Sequence, residues 1–182
     1  KNRANSSGRR EVEAGGTLIN RAAGVIWNRE APFPSTDDAV FINRGALENY
    51  GFLQNEGAGG ANIFFFFNSG TLTNHAGATL VTGELESNGT VTNHGTMLID
   101  IRLLNSKIVD NYGTLRNDGL MRNEAQLGTR LTNHVGATST NTFAFENNEF
   151  VFNFGTMENF DDVENFGLLR NHGSLTNQRE FA

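Results

Sequence analysis

Residues 147–177 read Asn-Asn-Glu-Phe-Val-Phe, Asn-Phe-Gly-Thr-Met-Glu, Asn-Phe-Asp-Asp-Val-Glu, Asn-Phe-Gly-Leu-Leu-Arg and Asn-His-Gly-Ser-Leu-Thr before Asn177, so every sixth residue is asparagine. A six-residue unit is too short to enclose a core of its own. Its apolar residue can be buried only against neighbouring copies of the unit. This stretch therefore predicts a solenoid, in which successive copies stack along one axis.

The same hexad recurs through most of the chain, beginning near Val40. Nine copies fit the pattern Asn-x-Gly-x-[Leu/Met]-x, and they start at Asn43, Asn49, Asn68, Asn93, Asn111, Asn117, Asn153, Asn165 and Asn171. Glycine and asparagine at this frequency disfavour a helix by about 0.5–1 kcal/mol at each site. The alternation around each leucine is typical of a short strand. We therefore predict an all-β fold.

The asparagine spacing indicates the size of one coil. Two series have spacings of 18 or 19 residues, namely Asn55, Asn74, Asn93 and Asn111, and Asn105, Asn123, Asn141, Asn159 and Asn177. Irregularities fall about once per three hexads, which predicts a single parallel β-helix with three short strands in each coil of about 18–20 residues. In such a coil these nine side chains would form hydrogen-bonded ladders between neighbouring coils.

The repeat divides the chain into two regions. Residues 1–16 are polar and basic without a period, and we predict that they form an N-terminal arm or cap. Residues 17–182 are predicted to form the β-solenoid, with a loop insertion at residues 29–38 that contains both prolines, Pro32 and Pro34.

Composition excludes several classes of function. The net charge of −6 disfavours nucleic-acid binding, which needs a basic surface. The absence of cysteine excludes disulfides and thiolate metal sites. No apolar stretch approaches the roughly 20 residues of a membrane-spanning helix, so no membrane span is predicted.

The second position of the hexad is rich in aromatic residues and histidine. The coil length predicts an aromatic stack in which His75, His94 and Tyr112 share one column and Phe154 lies over His172. A metal ion held between His75 and His94 is the alternative.

Phenylalanine is abundant, with 15 copies. Alternation must turn some of these rings outward, and outward aromatic rings mark a contact with a partner or subunit. We predict such a contact surface among Phe64, Phe65, Phe66, Phe67, Phe143, Phe145, Phe150 and Phe152.

Candidate chemistry is sparse in the repeats. Within the core repeats, Asp161-Asp162 is the one pair of adjacent carboxylates, and other charged residues are scattered. Nucleophile elbows, phosphate-binding loops and metal-ligand spacings are absent from the sequence. We therefore predict no catalytic residue, no cofactor and no metal. A polysaccharide-binding or polysaccharide-cleaving β-helix is the alternative.

Several repeats resemble those of large bacterial exoproteins, namely filamentous-haemagglutinin-type adhesins and autotransporter passenger domains. The resemblance is carried by Gly70-Thr-Leu-Thr-Asn74-His, by Gly89-Thr-Val-Thr-Asn93-His-Gly-Thr-Met97 and by residues 167–177, and it covers roughly residues 40–180. It implies a right-handed parallel β-helix outside the cell that acts in adhesion or in a matrix. A left-handed hexapeptide helix is the alternative fold, although its usual small residue after the aliphatic position is mostly missing here, where Glu48, Gln54, Arg116 and Arg170 occupy that place.

These observations predict a non-enzymatic, extracellular structural or adhesive β-solenoid at the cell surface or in a matrix. Its expected partners are other copies of itself, by end-to-end or lateral assembly, or a glycan or protein of a host or surface. An extracellular filament subunit that stacks end to end is the alternative, because open strands at the end of a solenoid can template further strands.

Overall fold

The computed structural model describes residues 3–4, 9–29, 39–56 and 64–179. These ranges contain 23 β-strands and no helix, and so no helix that could cross a membrane. The strands in chain order are β1 (Arg3–Ala4), β2 (Arg10–Val12), β3 (Thr17–Asn20), β4 (Val25–Arg29), β5 (Val40–Asn43), β6 (Ala46–Asn49), β7 (Phe52–Glu56), β8 (Phe65–Asn68), β9 (Thr71–Asn74), β10 (Thr79–Ser87), β11 (Thr90–Asn93), β12 (Thr96–Asn105), β13 (Ile108–Asn111), β14 (Thr114–Asn117), β15 (Leu120–Asn123), β16 (Arg130–Asn133), β17 (Thr138–Asn141), β18 (Phe145–Asn147), β19 (Phe150–Asn153), β20 (Thr156–Asn159), β21 (Val163–Asn165), β22 (Leu168–Asn171) and β23 (Ser174–Asn177).

The strands form three faces, and each face receives one strand from each of eight coils. Face 1 contains β2, β5, β8, the second halves of β10 and β12, β15, β18 and β21. Face 2 contains β3, β6, β9, β11, β13, β16, β19 and β22. Face 3 contains β4, β7, the first halves of β10 and β12, β14, β17, β20 and β23. Every pairing between coils is parallel, so the predicted parallel β-helix with three strands per coil is confirmed.

One strand breaks the parallel pattern. β1 pairs with β2 in antiparallel register, with Arg3 opposite Glu11 and Ala4 opposite Arg10. β2 itself pairs with β5 and belongs to face 1 of the first coil. Residues 1–16 were predicted to be an arm or cap, but the first coil already begins within this segment, at β2. Residues 30–38 of the predicted loop lie outside the described residues.

Most strands have the same four-residue pattern, in which the second and fourth side chains point inward. In β6, Leu47 and Asn49 are buried while Ala46 and Glu48 are partly exposed. Successive side chains of a strand point to opposite sides, so leucine and asparagine two residues apart share the inner side. Each strand therefore contributes one apolar and one amide side chain to the interior.

The apolar positions stack into one continuous core. It runs from Val12 to Val163, and Leu169 and Leu175 of the eighth coil pack against it partly buried. In the first coils of face 1, the rings of Phe41 and Phe66 stack with centroids 4.7 Å apart. Each buried side chain of this size stabilises the fold by about 1.5–3 kcal/mol.

Glycine at the corners allows neighbouring coils to approach closely. A Cβ atom added to Gly113 would lie 2.2 Å from the carbonyl oxygen of Gly95 in the preceding coil. That carbonyl accepts the Thr114 N–H at 2.9 Å, so it cannot move away without losing a bond between coils. The third position of the hexad is therefore glycine because the adjacent coil occupies the space of a side chain.

Coil lengths vary more than the asparagine spacing predicts. Ladder partners on face 2 lie 18 residues apart at Asn93 and Asn111, but 22 apart at Asn111 and Asn133 and 29 apart at Asn20 and Asn49. The extra residues fall at corners, where they change no strand register. The predicted 18–20 residues hold for the regular coils only.

Candidate functional surface

The inward asparagines hydrogen-bond from coil to coil. The Nδ2 of Asn93 donates to the Oδ1 of Asn111 at 2.8 Å and to the carbonyl of Thr114 at 2.8 Å. Its own Oδ1 accepts the Nδ2 of Asn74 at 2.8 Å. Both amide hydrogens and the acceptor are therefore used, which allows a fully buried polar group at little cost.

The predicted asparagine ladders are confirmed, and there are three of them. The face 2 ladder contains Asn20, Asn49, Asn74, Asn93, Asn111, Asn133, Asn153 and Asn171. The face 3 bonds join Asn28, Asn55 and Thr82, and then Asn117, Asn141, Asn159 and Asn177. The face 1 bonds join Asn43, Asn68 and Ser87, and then Asn105, Asn123, Asn147 and Asn165.

Two predicted links between these asparagines are wrong. Asn55 bonds to Thr82 on face 3 and not to Asn74, and Asn123 bonds to Asn147 and not to Asn141. In both places inserted corner residues lengthen the coil, so a separation of 18 or 19 residues stops one face short of the same face. Asn74 therefore lies on face 2 and Asn141 on face 3.

Among the described residues, two buried amide oxygens have no donor, and the ladder explains both. The Oδ1 atoms of Asn43 and Asn117 make no hydrogen bond. The residues in register with them in the preceding coil are Val12 and Ile99, which carry no amide. Each orphan therefore marks the first asparagine after an apolar interruption of the ladder.

A column of rings lies at the corner between faces 2 and 3. Each residue of the column directly follows a face 2 asparagine, and its backbone N–H donates to the carbonyl of the face 2 asparagine in the preceding coil. The column consists of Tyr50, His75, His94, Tyr112, His134, Phe154 and His172. Arg21 holds the same position after Asn20 in the first coil. The column contains all four histidines and both tyrosines of the chain.

Two of the predicted ring pairs stack, and two further rings join them. The ring centroids of His94 and Tyr112 are 4.7 Å apart, and those of Phe154 and His172 are 5.2 Å apart. Tyr50 stacks on His75 at 3.7 Å, and His134 stacks on Tyr112 at 3.8 Å. Tyr50 and His134 were missing from the predicted stack because insertions displace them from the 18-residue spacing.

Two histidines of the column also bond to carboxylates of the preceding coil. His75 Nε2 lies 2.5 Å from a Glu48 oxygen, and His134 Nε2 lies 3.3 Å from an Asp110 oxygen. Asp110 also accepts Arg130 at 3.1 Å. Among the residues that the structure describes, no three His, Cys, Asp or Glu side chains converge to hold a metal ion.

A column of hydroxyl side chains runs beside the rings, on the outer side of face 3. Cross-coil register aligns Thr79, Thr96, Thr114, Thr138, Thr156 and Ser174 on six consecutive coils. Their side chains are partly or fully exposed. Sequence reasoning missed this column, although Gly-Thr or Gly-Ser follows the ring in most of these coils. The inserted pairs at residues 76–77 and 135–136 hide the pattern in the others.

The phenylalanines do not form one contact surface. The prediction is wrong for Phe66 and Phe145, because both point inward and are buried in the core. Phe65 and Phe67 lie outward on face 1 with stacked rings 5.4 Å apart, beside partly exposed Phe64. Two more predicted residues, Phe150 and Phe152, form a separate outward pair on face 2, and exposed Phe143 lies at a corner.

Charged side chains pair mainly between coils. On face 1, Arg122 Nε lies 2.5 Å from a Glu146 oxygen, and this hydrogen bond raises the arginine pKa above its ordinary value. Glu124 and Glu164 act on the pKa of Arg122 in the same direction through their charge. Three carboxylates therefore surround one arginine in coils 6–8.

The adjacent carboxylates of the core repeats, Asp161 and Asp162, belong to the turn that follows the ladder residue Asn159. The backbone carbonyls of Asp161 and Asp162 accept the Asn159 amide at 2.5 Å and 3.2 Å. The Asp161 carboxylate pairs with Arg179 at 2.8 Å. The backbones of both residues therefore help to close the turn after β20.

The fold assignment depends on the register of the chain's own strands. Parallel pairing persists on all three faces through the eighth coil, and the ladders give an independent check of that register. Comparison with family models, with curated proteins and with solved structures finds no match for this chain.

Proposed function

We propose that this chain is a non-enzymatic structural and adhesive rod that acts outside the cell. The observation that carries the proposal is the set of asparagine ladders, which tie each coil to the next through buried amide bonds. Spaced at about 4.8 Å, eight coils place the first and last about 34 Å apart. Such a body holds its outer side chains in fixed rows.

The chemistry of the surface supports contact rather than catalysis. Outward carboxylates such as Glu146 and Asp161 are held by arginines. The ring and hydroxyl columns repeat one type of side chain along the rod, which suits many weak contacts with an extended partner. A glycan or fibrous protein of a surface is a partner of this kind, and many parallel contacts hold it more strongly than one.

A bead-retention assay tests this proposal. Beads that carry the chain are washed at increasing shear over surfaces coated with a linear glycan or with a fibrous matrix protein. We expect retention on at least one surface, and loss of retention when the chain on the beads is unfolded. Small-angle scattering of the free chain checks that it is a rod.

The same preparation is then incubated with acidic polysaccharides, and new reducing ends and unsaturated products are followed. Release of products by the chain, abolished by Asp161→Asn or Asp162→Asn, would overturn the non-enzymatic proposal. Failure of the beads to hold to any surface would overturn its adhesive part.

A further inference from the structure

The outer side of face 2 becomes aromatic at coil 7. In β9 and β11 the two outward positions of the strand are threonines. In β19 both are phenylalanines, Phe150 and Phe152, and Phe154 of the ring column follows at the corner. Successive outward residues are two apart, so the three rings occupy a stretch of about 13 Å along one strand.

The strands on either side hold these rings in place. The ring centroids of Phe150 and Phe152 are 6.3 Å apart, their planes are parallel within 7°, and both side chains are partly exposed. Phe154 stacks on His172 and is 39% exposed. β19 pairs with β16 on one side and with β22 on the other. Its backbone therefore cannot receive a further strand, and a partner can be bound only through side chains.

Two arginines flank the rings in the neighbouring coils. Arg130 is in register with Phe150, and Arg170 is in register with Phe152. The guanidinium of Arg170 makes no hydrogen bond or ion pair with the described residues. Arg130 donates to Asp110 at 3.1 Å through one Nη atom, whereas a guanidinium carries five N–H donors. Unused N–H donors therefore lie on both sides of the ring pair.

The charges beside the rings have both signs, and neither sign prevails. Asp110 offsets the charge of Arg130. Glu149 directly precedes Phe150 and offsets the charge of Arg170, and its carboxylate has no partner among the described residues. A strongly anionic or cationic partner therefore gains little net attraction here. The polar groups instead supply both hydrogen-bond donors and acceptors.

We propose that this part of face 2 binds a neutral polysaccharide. A pyranose ring has an apolar side of C–H groups, which packs against aromatic rings, and hydroxyl groups around its edge. Those hydroxyls both donate and accept, so guanidinium and carboxylate groups of balanced charge suit them. We call the region the phenylalanine site, and it consists of Phe150, Phe152 and Phe154 with Arg130, Glu149 and Arg170.

A polymer suits the site better than a single sugar. The three rings offer only a small apolar area, so each sugar is held weakly. A long polysaccharide presents many equivalent units, and several copies of the chain on one surface can hold the same polymer. The phenylalanine site rests on the adhesive role proposed above and gives that role a ligand class and a location.

Native affinity electrophoresis of the full chain tests the proposal. The gels contain hydroxyethyl cellulose, galactomannan or dextran as neutral polymers, or polygalacturonate as an acidic one. We expect retardation in at least one neutral gel. This retardation should persist when the salt concentration is raised from about 50 mM to about 500 mM, because screening acts on charged partners.

A matched pair of double variants locates the binding. Phe150→Ala with Phe152→Ala should weaken binding about tenfold for each ring removed. Phe65→Ala with Phe67→Ala removes the other outward pair, whose rings are 5.4 Å apart on face 1, and should leave the retardation unchanged. Circular dichroism and the thermal midpoint confirm that both variants fold.

A third variant separates hydrogen bonding from charge. Arg170→Gln removes the charge and keeps an N–H donor, so binding should weaken by less than about threefold. Retardation only in polygalacturonate, abolished by salt and by this variant, would show an anionic ligand and overturn the proposal.

The remaining outcomes separate this site from the adhesive role itself. No retardation in any neutral gel, or equal losses in the two double variants, would refute the phenylalanine site. Bead retention only on the fibrous protein, lost in Phe150→Ala with Phe152→Ala, would assign the rings to a protein partner and refute it as well. In that case the adhesive proposal stands, because it fails only when the beads hold to no surface.

Discussion

An asparagine at the fourth position of a strand is useful only where its neighbours are also polar. Asn93 uses every polar atom of its amide, because the coils before and after it carry asparagine at the same level. Asn117 has the same side chain but an unpaired Oδ1, because Ile99 precedes it. The value of the residue therefore depends on the column that contains it and not on its own environment in one coil.

Two substitutions of the same kind test this dependence. Ile99→Asn places an amide N–H group where the unpaired Oδ1 of Asn117 can accept it. This hydrogen bond largely offsets the lost apolar burial, so the free energy of unfolding should change by less than about 1 kcal/mol. Leu103→Asn places an amide in a column of apolar side chains, and we expect a loss of about 3–5 kcal/mol. Urea unfolding of both variants measures the difference, and equal losses would contradict the ladder account.

Glycine substitutions separate space from backbone conformation. Gly113→Ala places a Cβ atom against a carbonyl of the preceding coil. We expect the free energy of unfolding to fall by at least about 3 kcal/mol, or the variant to fail to fold. Gly77 has a φ of +79° but nothing within 4 Å of an added Cβ. Gly77→Ala should cost only about 1 kcal/mol. Thermal unfolding compares them, and a milder effect at Gly113 would refute close coil contact.

At the scale of the strand, pairing across coils decides whether a charge can be buried. Glu84 of β10 is only 6% exposed, and its carboxylate lies 2.5 Å from Arg102 Nη2 of β12. The two residues are in parallel register on face 1. A carboxylate at this depth is tolerated because its partner occupies the next coil at the same level.

Removal of the arginine should expose the cost of that burial. Arg102→Met leaves Glu84 unpaired, and we expect the free energy of unfolding to fall by about 2–4 kcal/mol. Adding Glu84→Gln should recover most of the loss, since no buried charge then remains. Arg116→Met removes an exposed pair with Asp118 and serves as the control, with little expected change. No recovery in the double variant would argue against this account.

Strand type and the inward face were predictable from the sequence, whereas strand neighbours were predictable only between regular coils. The spacing of 18 residues correctly places Asn159 under Asn141, because no insertion separates them. The same spacing fails at Asn123, whose ladder partner Asn147 is 24 residues away. Six extra residues lie in the corners between these two asparagines, and hydropathy does not reveal which corners hold them. The hydroxyl column was missed for the same reason, as it becomes visible only after the strands are aligned.

At the scale of the molecule, each coil contacts only its two neighbours. A regular coil, such as the one from Asn93 to Asn111, is 18 residues long, and regular coils share the same residue pattern. The stability of such an array is close to a sum over coils and their interfaces. Whole coils should therefore be units that can be added without disturbing the remainder.

An insertion tests this modularity. A second copy of residues 94–111 placed after Asn111 keeps every later strand on its face, and we expect a folded rod longer by about 4.8 Å with a higher midpoint of unfolding. Copying only residues 94–105 moves each later strand to another face and should prevent folding. Scattering and circular dichroism distinguish the outcomes. Unfolding of the first variant, or normal folding of the second, would contradict a modular rod.

The separation of paired strands has a consequence for how the chain acquires its structure. A strand of a regular coil needs only the 18 residues before it to find its partner, and this distance stays the same along the rod. The entropy lost in closing each loop is therefore small and uniform. A polypeptide delivered from one end can fold progressively as it emerges, with each finished coil serving as the template for the next.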